Sequence, residues 1–323
     1  MRSKKYIALF IIVISIAVTS CQKENIDYFL PDGRGLDTNW VSYIDPSMPV
    51  SSLKIDLTKP AIVDNAIFVS LPIEKITGSG LQLFFPGNCV TNYNSQLVDG
   101  NINIQSLQLQ RKGDLIRLYR PTMCNGSILS FAGMLLVDLE KNDSVLKLSP
   151  DSKLKIQYKS FSQVPKLSLF YGTDSSFAEG GWEANADQSN TIRQANEGYE
   201  ITTKKLGWIT AGYSIDTINA VKTFIEVSLE KQFTNSNTEA WLVLKNYNSV
   251  IDLKASVERK KFVAVNIPAD MEGTVIIISR QVDDYYMATK TIITNGDINH
   301  NLSVEMKPVK TSFGAVLQYL DSL

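Results

Sequence analysis

Leu154, Ile156 and Tyr158 alternate with Lys153, Lys155, Gln157 and Lys159. This period of two sends all the apolar side chains to one face of an extended segment and the polar ones to the other. The pattern recurs. Ile225, Val227 and Leu229 alternate with Glu226, Ser228 and Glu230, and Ile251, Leu253, Ala255 and Val257 alternate with Asp252, Lys254, Ser256 and Glu258. Val263, Val265 and Ile267 repeat it, and Val275 to Ile278 form a continuous apolar run. Asp99-Gly100, Asn125-Gly126, Asn142-Asp143 and Asn295-Gly296 supply the residues that tight turns require. Strands half wet and half dry, at spacings of ~8 to 12 residues, predict an all-β fold of antiparallel sandwiches with an immunoglobulin-like build. With 323 residues the chain is long enough for two such domains.

The pattern divides the chain. Residues 21–39 carry Pro31, Gly33 and Gly35 without apolar period and are predicted to be a tether. A first β-sandwich domain is expected over 40–170, a connection rich in Gly and Asn over 171–198, and a second β-sandwich domain over 199–308. In the first, Leu53, Ile55 and Leu57 alternate with Lys54 and Asp56 and predict a strand, with another over 66–71. Ile102 and Ile104 have the opposite parity to Leu107 and Leu109, which a bulge near Gln105-Ser106 would reconcile. After Pro308 the spacing of Phe313, Val316, Leu317, Leu320 and Leu323 turns helical, so 309–323 is predicted to be a short C-terminal helix capped by Thr311 or Ser312.

Residues 1–20 read as an export leader. Arg2, Lys4 and Lys5 precede an apolar stretch over 6–18, too short to span a bilayer, and Val18-Thr19-Ser20-Cys21 closes it. Small residues before that thiol resemble the lipobox of bacterial lipoproteins, with Val18 where Leu is usual, which implies lipidation of Cys21 with acyl chains such as palmitate. Gln22-Lys23-Glu24 is similar to the short signals that follow the lipidated Cys in surface-displayed lipoproteins of Bacteroidetes-type bacteria. The expected address is therefore the outer membrane, lipid-anchored and exposed on the cell surface. Formal net charge is −1, and loss of the leader removes three more cations, so nucleic-acid binding is excluded.

Chemistry is sparse. Cys89 and Cys124 are the only cysteines besides Cys21; in an oxidising compartment a disulfide and two buried free thiols both satisfy the sequence. Trp182, Trp208, Tyr285 and Tyr286 are candidates for stacking on a sugar ring, and the competing reading of Trp182 is a plug at one end of a sandwich. Asp283-Asp284 is the densest acidic step and suits a solvated hairpin tip. No Cys/His grouping has metal-ligand spacing, no Gly-rich phosphate loop follows a strand, and no cofactor is called for.

The strand ending in Phe85-Pro86-Gly87, the Arg120-Pro121-Thr122 stretch with Asn125-Gly126, the closing Lys-alternating strand and Leu206-Gly207-Trp208-Ile209 resemble a group of uncharacterised Bacteroidetes outer-membrane lipoproteins. The strand-Phe-Pro segment is also similar to the β-sandwich domain of zonula-occludens and netrin-receptor proteins. Some members of that domain self-cleave at a His-aromatic-Ser step. Here the single histidine, His300, is followed by Asn301-Leu302-Ser303, so the step is missing and a buried structural imidazole is expected. The resemblance implies an extracellular β-sandwich with no known chemistry. The expected function is a noncatalytic, lipid-anchored surface protein in adhesion, assembly or scaffolding, with a protein or glycan as ligand. The alternatives are a glycan-binding accessory of a nutrient-uptake system and, third, a carboxylate-based glycosidase.

Overall fold

A computed structural model describes residues 39–160, 166–172, 181–215, 221–295 and 301–323. The leader, Cys21, most of the tether and His300 lie outside the described residues. All the described residues belong to one of the two compact units into which the chain divides, 37–323.

The described residues are mostly β, in several sheets whose strand pairs among those residues are antiparallel but for one. An eight-stranded sheet runs Ile62–Phe68, Gly100–Leu109, Ser127–Lys141, Gly207–Ser214, Ser168–Gly172, Glu183–Ala184, with Met123–Cys124 and Ser144–Val145 also on Ser127–Lys141. A five-stranded sheet runs Thr191–Ala195, Gly198–Thr203, Leu154–Lys159, Gln82–Phe85, Ile73–Ile76. Side chains of these two sheets make one buried cluster, with Leu83, Ile104, Leu135 and Ile156 fully buried in it. In the C-terminal half, a four-stranded sheet (Lys254–Ser256, Lys261–Pro268, Lys222–Ser228, Asn301–Glu305) and a second five-stranded sheet (Val250–Asp252, Thr238–Leu244, Glu272–Gln281, Asp284–Ile293, Val309–Thr311) share another. Lys222–Ser228 and Asn301–Glu305 run parallel, the exception to the antiparallel expectation.

A third cluster lies between these pairs and accounts for most departures from the expected layout. It joins Leu107, Leu109, Met134, Leu136 and Trp208 of the eight-stranded sheet to Trp241, Val243, Ile276 and Ile278 of the C-terminal five-stranded sheet. Three helices feed it: α1 (Pro49–Leu57), α2 (Lys112–Arg117) and α3 (Phe313–Asp321). Both sheets are therefore apolar on both faces, which is why Ser127–Lys141 and Glu272–Gln281 are buried almost continuously rather than on alternate residues.

Double coverage also explains the parity change in Gly100–Leu109. Ile102 and Ile104 enter the first cluster while Leu107 and Leu109 enter the third, through the opposite face of an unbroken strand. The expected bulge near Gln105-Ser106 is absent. A bulge does occur one strand away, where Ala211 pairs Gly133 and Gly212 pairs Phe131, so that Ala132 is the extra residue.

The predicted strand at Leu53, Ile55 and Leu57 is instead α1. Pro49 starts it with a preset φ and no lost donor, and Val50, Leu53 and Leu57 are buried on one helical stripe while Ile55 is 75% exposed. This segment, assigned to the first domain, packs on the C-terminal half as well as on α2, where Arg117 Nε donates to Leu57 O at 3.1 Å. The Trp40 and Phe262 rings are 5.1 Å apart, Val41 N donates to Asn235 Oδ1 at 3.0 Å, Val50 N donates to Ser236 O at 2.9 Å, and Lys54 pairs with Glu239 at 2.8 Å.

The expected connection over 171–198 holds paired strands. Gly198–Thr203 and Gly207–Ser214 return to the sheets of the N-terminal half, so strands of the C-terminal half begin only at Lys222–Ser228. At the end of the chain, 309–311 is a strand and the helix begins after it, with Ser312 Oγ accepting from Ala315 N at 3.2 Å. Helices α2 and α3 touch closely enough that a Cβ on Gly113 would lie 1.8 Å from Leu320 O.

Two of the four predicted turns have the conformation of a two-residue hairpin. Asn125 and Gly126 sit at φ 47° and 79°, and Asn142 and Asp143 at 50° and 58°, both residues positive as in a type I′ turn. At Asp99-Gly100 only Gly100 has positive φ and it already starts the strand Gly100–Leu109 opposite Phe68, and Gly296 lies outside the described residues.

Candidate functional site

The outward face of the N-terminal five-stranded sheet carries the polar half of the alternation. Register aligns Arg193 with Glu200, Glu200 with Gln157, and Gln157 with Gln82, so four polar side chains cross four strands in a row. Gln157 Nε2 donates to Glu200 Oε2 at 2.6 Å, and Arg193 Nε donates to Glu200 Oε1 at 2.7 Å. Gln82 carries the row on by donating to Glu74. One step along the strands, Lys155 places its ammonium 4.3 Å from the centre of the Phe84 ring. The row floors a cavity of about 550 Å³, with Lys159 and Glu197 paired at 2.6 Å among its lining residues.

Glu200 is only 6% exposed, yet the Arg193 side chain that holds it is 73% exposed. Burial alone would push the Glu200 carboxyl up, but the hydrogen bonds from Gln157 and Arg193, with the charges of Arg193 and Lys155, outweigh it and hold the group below its ordinary value of 4.5. Hydrogen bonding and charge from Lys159 likewise depress Glu197. Both carboxyls are therefore ionised at neutral pH, so neither holds the proton that a general acid must deliver. What the row offers a ligand is planar amide and guanidinium edges, prearranged across a sheet face.

A pH prediction follows from Glu200. With the folded value depressed, its contribution is complete above 4.5 and is lost as pH falls through the folded value. Glu200→Gln should cost about 1 kcal/mol at pH 7, because one partner is exposed, and should flatten the loss of stability on the acid side. Denaturant midpoints at pH 7 and pH 3 check this; an equal pH 7 to pH 3 drop in both proteins would refute it.

Of the four candidate stacking residues, Trp182 and Trp208 lie in the third cluster and Tyr285 packs against it, with Tyr286 next to it in the strand Asp284–Ile293. Trp182 is 1% exposed in the third cluster, and its Nε1 donates to Pro121 O at 3.1 Å. Trp208 is buried in the same cluster, with the Arg120 guanidinium 4.8 Å from its ring centre. Tyr285 is half-buried, donates to Asp56 Oδ2 at 2.6 Å and lies 4.8 Å from Phe313. Tyr286 is half-buried, with its ring centre 5.4 Å from that of Phe233 in a T-shaped arrangement. Trp182 and Trp208 are thus core residues with no ring face open to a ligand, while Tyr285 and Tyr286 remain half-buried.

Cys89 and Cys124 are both free, and both are buried, in the first and third clusters respectively. The disulfide alternative is therefore not realised. Burial pushes the Cys89 thiol up to about 11, far from a reactive thiolate. Asp283 sits at the tip of the hairpin between Glu272–Gln281 and Asp284–Ile293 with its side chain 90% exposed, and Asp284 pairs with Lys310 at 2.7 Å. Among the described residues no group of three His, Cys, Asp or Glu side chains is placed to hold a metal ion.

Sequence reading missed the polar row. Lys153, Lys155, Gln157 and Lys159 announce a wet face, but Glu200 and Arg193 become its neighbours only through register between distant strands. Compared with family models, curated proteins and solved structures, the chain has no match.

Proposed function

We propose that this chain is a noncatalytic, lipid-anchored protein of the cell surface with an assembly or scaffolding role. It holds two β-sandwich lobes, of immunoglobulin-like build, as one stiff arm. The observation that carries this reading is the third apolar cluster. Trp182, Trp208, Trp241, α1 and α3 fill the space between the sheet pairs, so the lobes share a core in place of a polar linker. A fused arm suits presenting a surface at a set distance from a membrane. The proposed attachment is the lipid on Cys21; among the described residues no helix is long and apolar enough to cross a bilayer. Protease treatment of intact cells should remove the protein from the outer membrane; full protection, with cleavage only after lysis, would overturn surface display.

A second reading is favoured by the row Arg193, Glu200, Gln157 and Gln82. Bidentate polar groups on an open sheet face suit the hydroxyls of a glycan, and so support a glycan-binding accessory role. Glycan-array binding that is lost in Arg193→Ala, with the far-UV spectrum of the folded protein retained, is the expected result of that reading. No binding to any glycan would remove it. At this row carboxylate-based hydrolysis has no such support, since Glu197 and Glu200 are both held below their ordinary values.

A further inference from the structure

Six large apolar side chains crowd one flank of the N-terminal half. Ile62, Val63 and Ile67 are 41%, 57% and 67% exposed, and Val69, Leu71 and Ile76 follow at 41%, 69% and 67%. All six lie on the edge strand Ile62–Phe68, on the edge strand Ile73–Ile76, or on the link between them. Isolated exposed apolar residues are ordinary, but a run of them along a sheet edge is a docking surface.

The other sheet edges show how this chain protects a strand. Glu183–Ala184 is two residues long; Val250–Asp252, Lys254–Ser256 and Val309–Thr311 have three each, with Asp252, Lys254 and Lys310 among them. Thr191–Ala195 carries Arg193, Asn301–Glu305 carries Glu305, and the four-residue Ile73–Ile76 carries Glu74 and Lys75. Ile62–Phe68 has seven residues with no Lys, Arg or Pro, and its single charge, Asp64, is turned to Gly78 N at 2.9 Å and Lys75 at 3.8 Å within the same flank. Among the described residues its outer side is unpaired. The longest edge is thus the least guarded.

We propose that Ile62–Phe68 pairs antiparallel with the same strand of a second copy of this chain, about a two-fold axis through Asn65. A two-fold normal to the sheet keeps outward faces outward, and the strand is complementary to itself in that register. Val63 then lies opposite Ile67 of the second copy and Ile67 opposite its Val63, so the two exposed apolar residues of the outward face cover each other. Asp64 meets Ala66, so like charges are not opposed, and Asn65 meets Asn65 in an amide pair. All seven residues find a partner. Centring the axis on Ala66 instead would set Asp64 against Phe68 and Asn65 against Ile67. A foreign extended strand could use the same edge, but it would not explain this internal match. The proposal does not rest on the lipid anchor, and its failure would leave that reading standing.

The test is a cysteine at the axis in the full chain, extracted from cells in detergent. Directly opposed residues bring Cα atoms to ~4.5 to 5.5 Å, within disulfide reach, so Asn65→Cys should give a reducible species of twice the chain mass under mild oxidation. Asn103, paired with Asn65 one strand inward, would lie three strand spacings from its mate, ~14 Å, so Asn103→Cys should stay single. Val63→Lys combined with Ile67→Lys sets like charges opposite one another and should abolish the dimer in sedimentation while leaving the far-UV spectrum unchanged. A monomeric parent chain, a dimer that survives the double substitution, or Asn65→Cys trapped with a protein of a different mass would each overturn the proposal. The last result would assign the edge to a foreign strand.

Discussion

Trp182→Ala is expected to destabilise the fold by about 3 to 5 kcal/mol and to lower the thermal midpoint by roughly 6 to 15 °C. The indole is 1% exposed among Leu129, Phe131 and Trp208 of the third cluster, and truncation there leaves a cavity between two sheets that cannot close independently. It also removes the bond from Nε1 to Pro121 O at 3.1 Å. The local backbone is committed to this position: Trp182 N donates to Met123 O at 2.7 Å, and Gly181, at φ +96°, stands where a Cβ would lie 2.1 Å from that same oxygen. Against a typical total of ~5 to 15 kcal/mol the loss is large. Chemical denaturation of parent and variant measures it. Had Trp182 served as a stacking platform, the variant would keep its stability and lose a ligand; unchanged melting would therefore reject the plug.

Cys21→Ser is expected to abolish lipid incorporation completely while leaving every described strand intact. The hydroxyl cannot replace the sulfur in diacylglycerol transfer, and the apolar stretch over 6–18 is too short to hold the protein as a span. The variant should be recovered either as an uncleaved precursor at the inner membrane or as a soluble form. Labelling cells with a tagged fatty acid and fractionating their membranes checks it. Normal labelling and normal outer-membrane recovery of the variant would overturn the anchor.

Two turns and the alternation of several strands were legible because each is decided within a few residues, whereas Phe262 and Ala264 turn inward where Val263 and Val265 were expected to, and 251–257 is split between two sheets. Asn125-Gly126 and Asn142-Asp143 adopt positive φ at both positions, as such pairs do in hairpins. Leu154–Lys159 turns Leu154, Ile156 and Tyr158 inward, as its period requires. Ser312 caps α3 for an equally local reason, since its hydroxyl reaches an amide three residues on.

Period alone misled at Leu53, Ile55 and Leu57, where three alternating residues fit a strand and a helix stripe through Val50, Leu53 and Leu57 fits as well. The choice fell to Pro49 and to the surface on which α1 docks. The parity change in Gly100–Leu109 misled in the same way: a bulge and a second covered face leave identical marks in sequence, and only the third cluster distinguishes them.

By itself, then, the sequence determined the all-β class, the turns at Asn125-Gly126 and Asn142-Asp143 and the capped terminal helix, because hydrophobic period, backbone φ preference and capping act over two to seven neighbouring residues. Tertiary structure alone decided that strands up to Ser214 belong to the first sheets, that Cys89 and Cys124 lie in different clusters, that Trp182 is core, and that Glu200 meets Arg193 and Gln157. Each of these depends on which distant strands share an edge and which faces are covered. Register and sheet order are set by the packing of whole faces, a property that no local stretch of the chain contains.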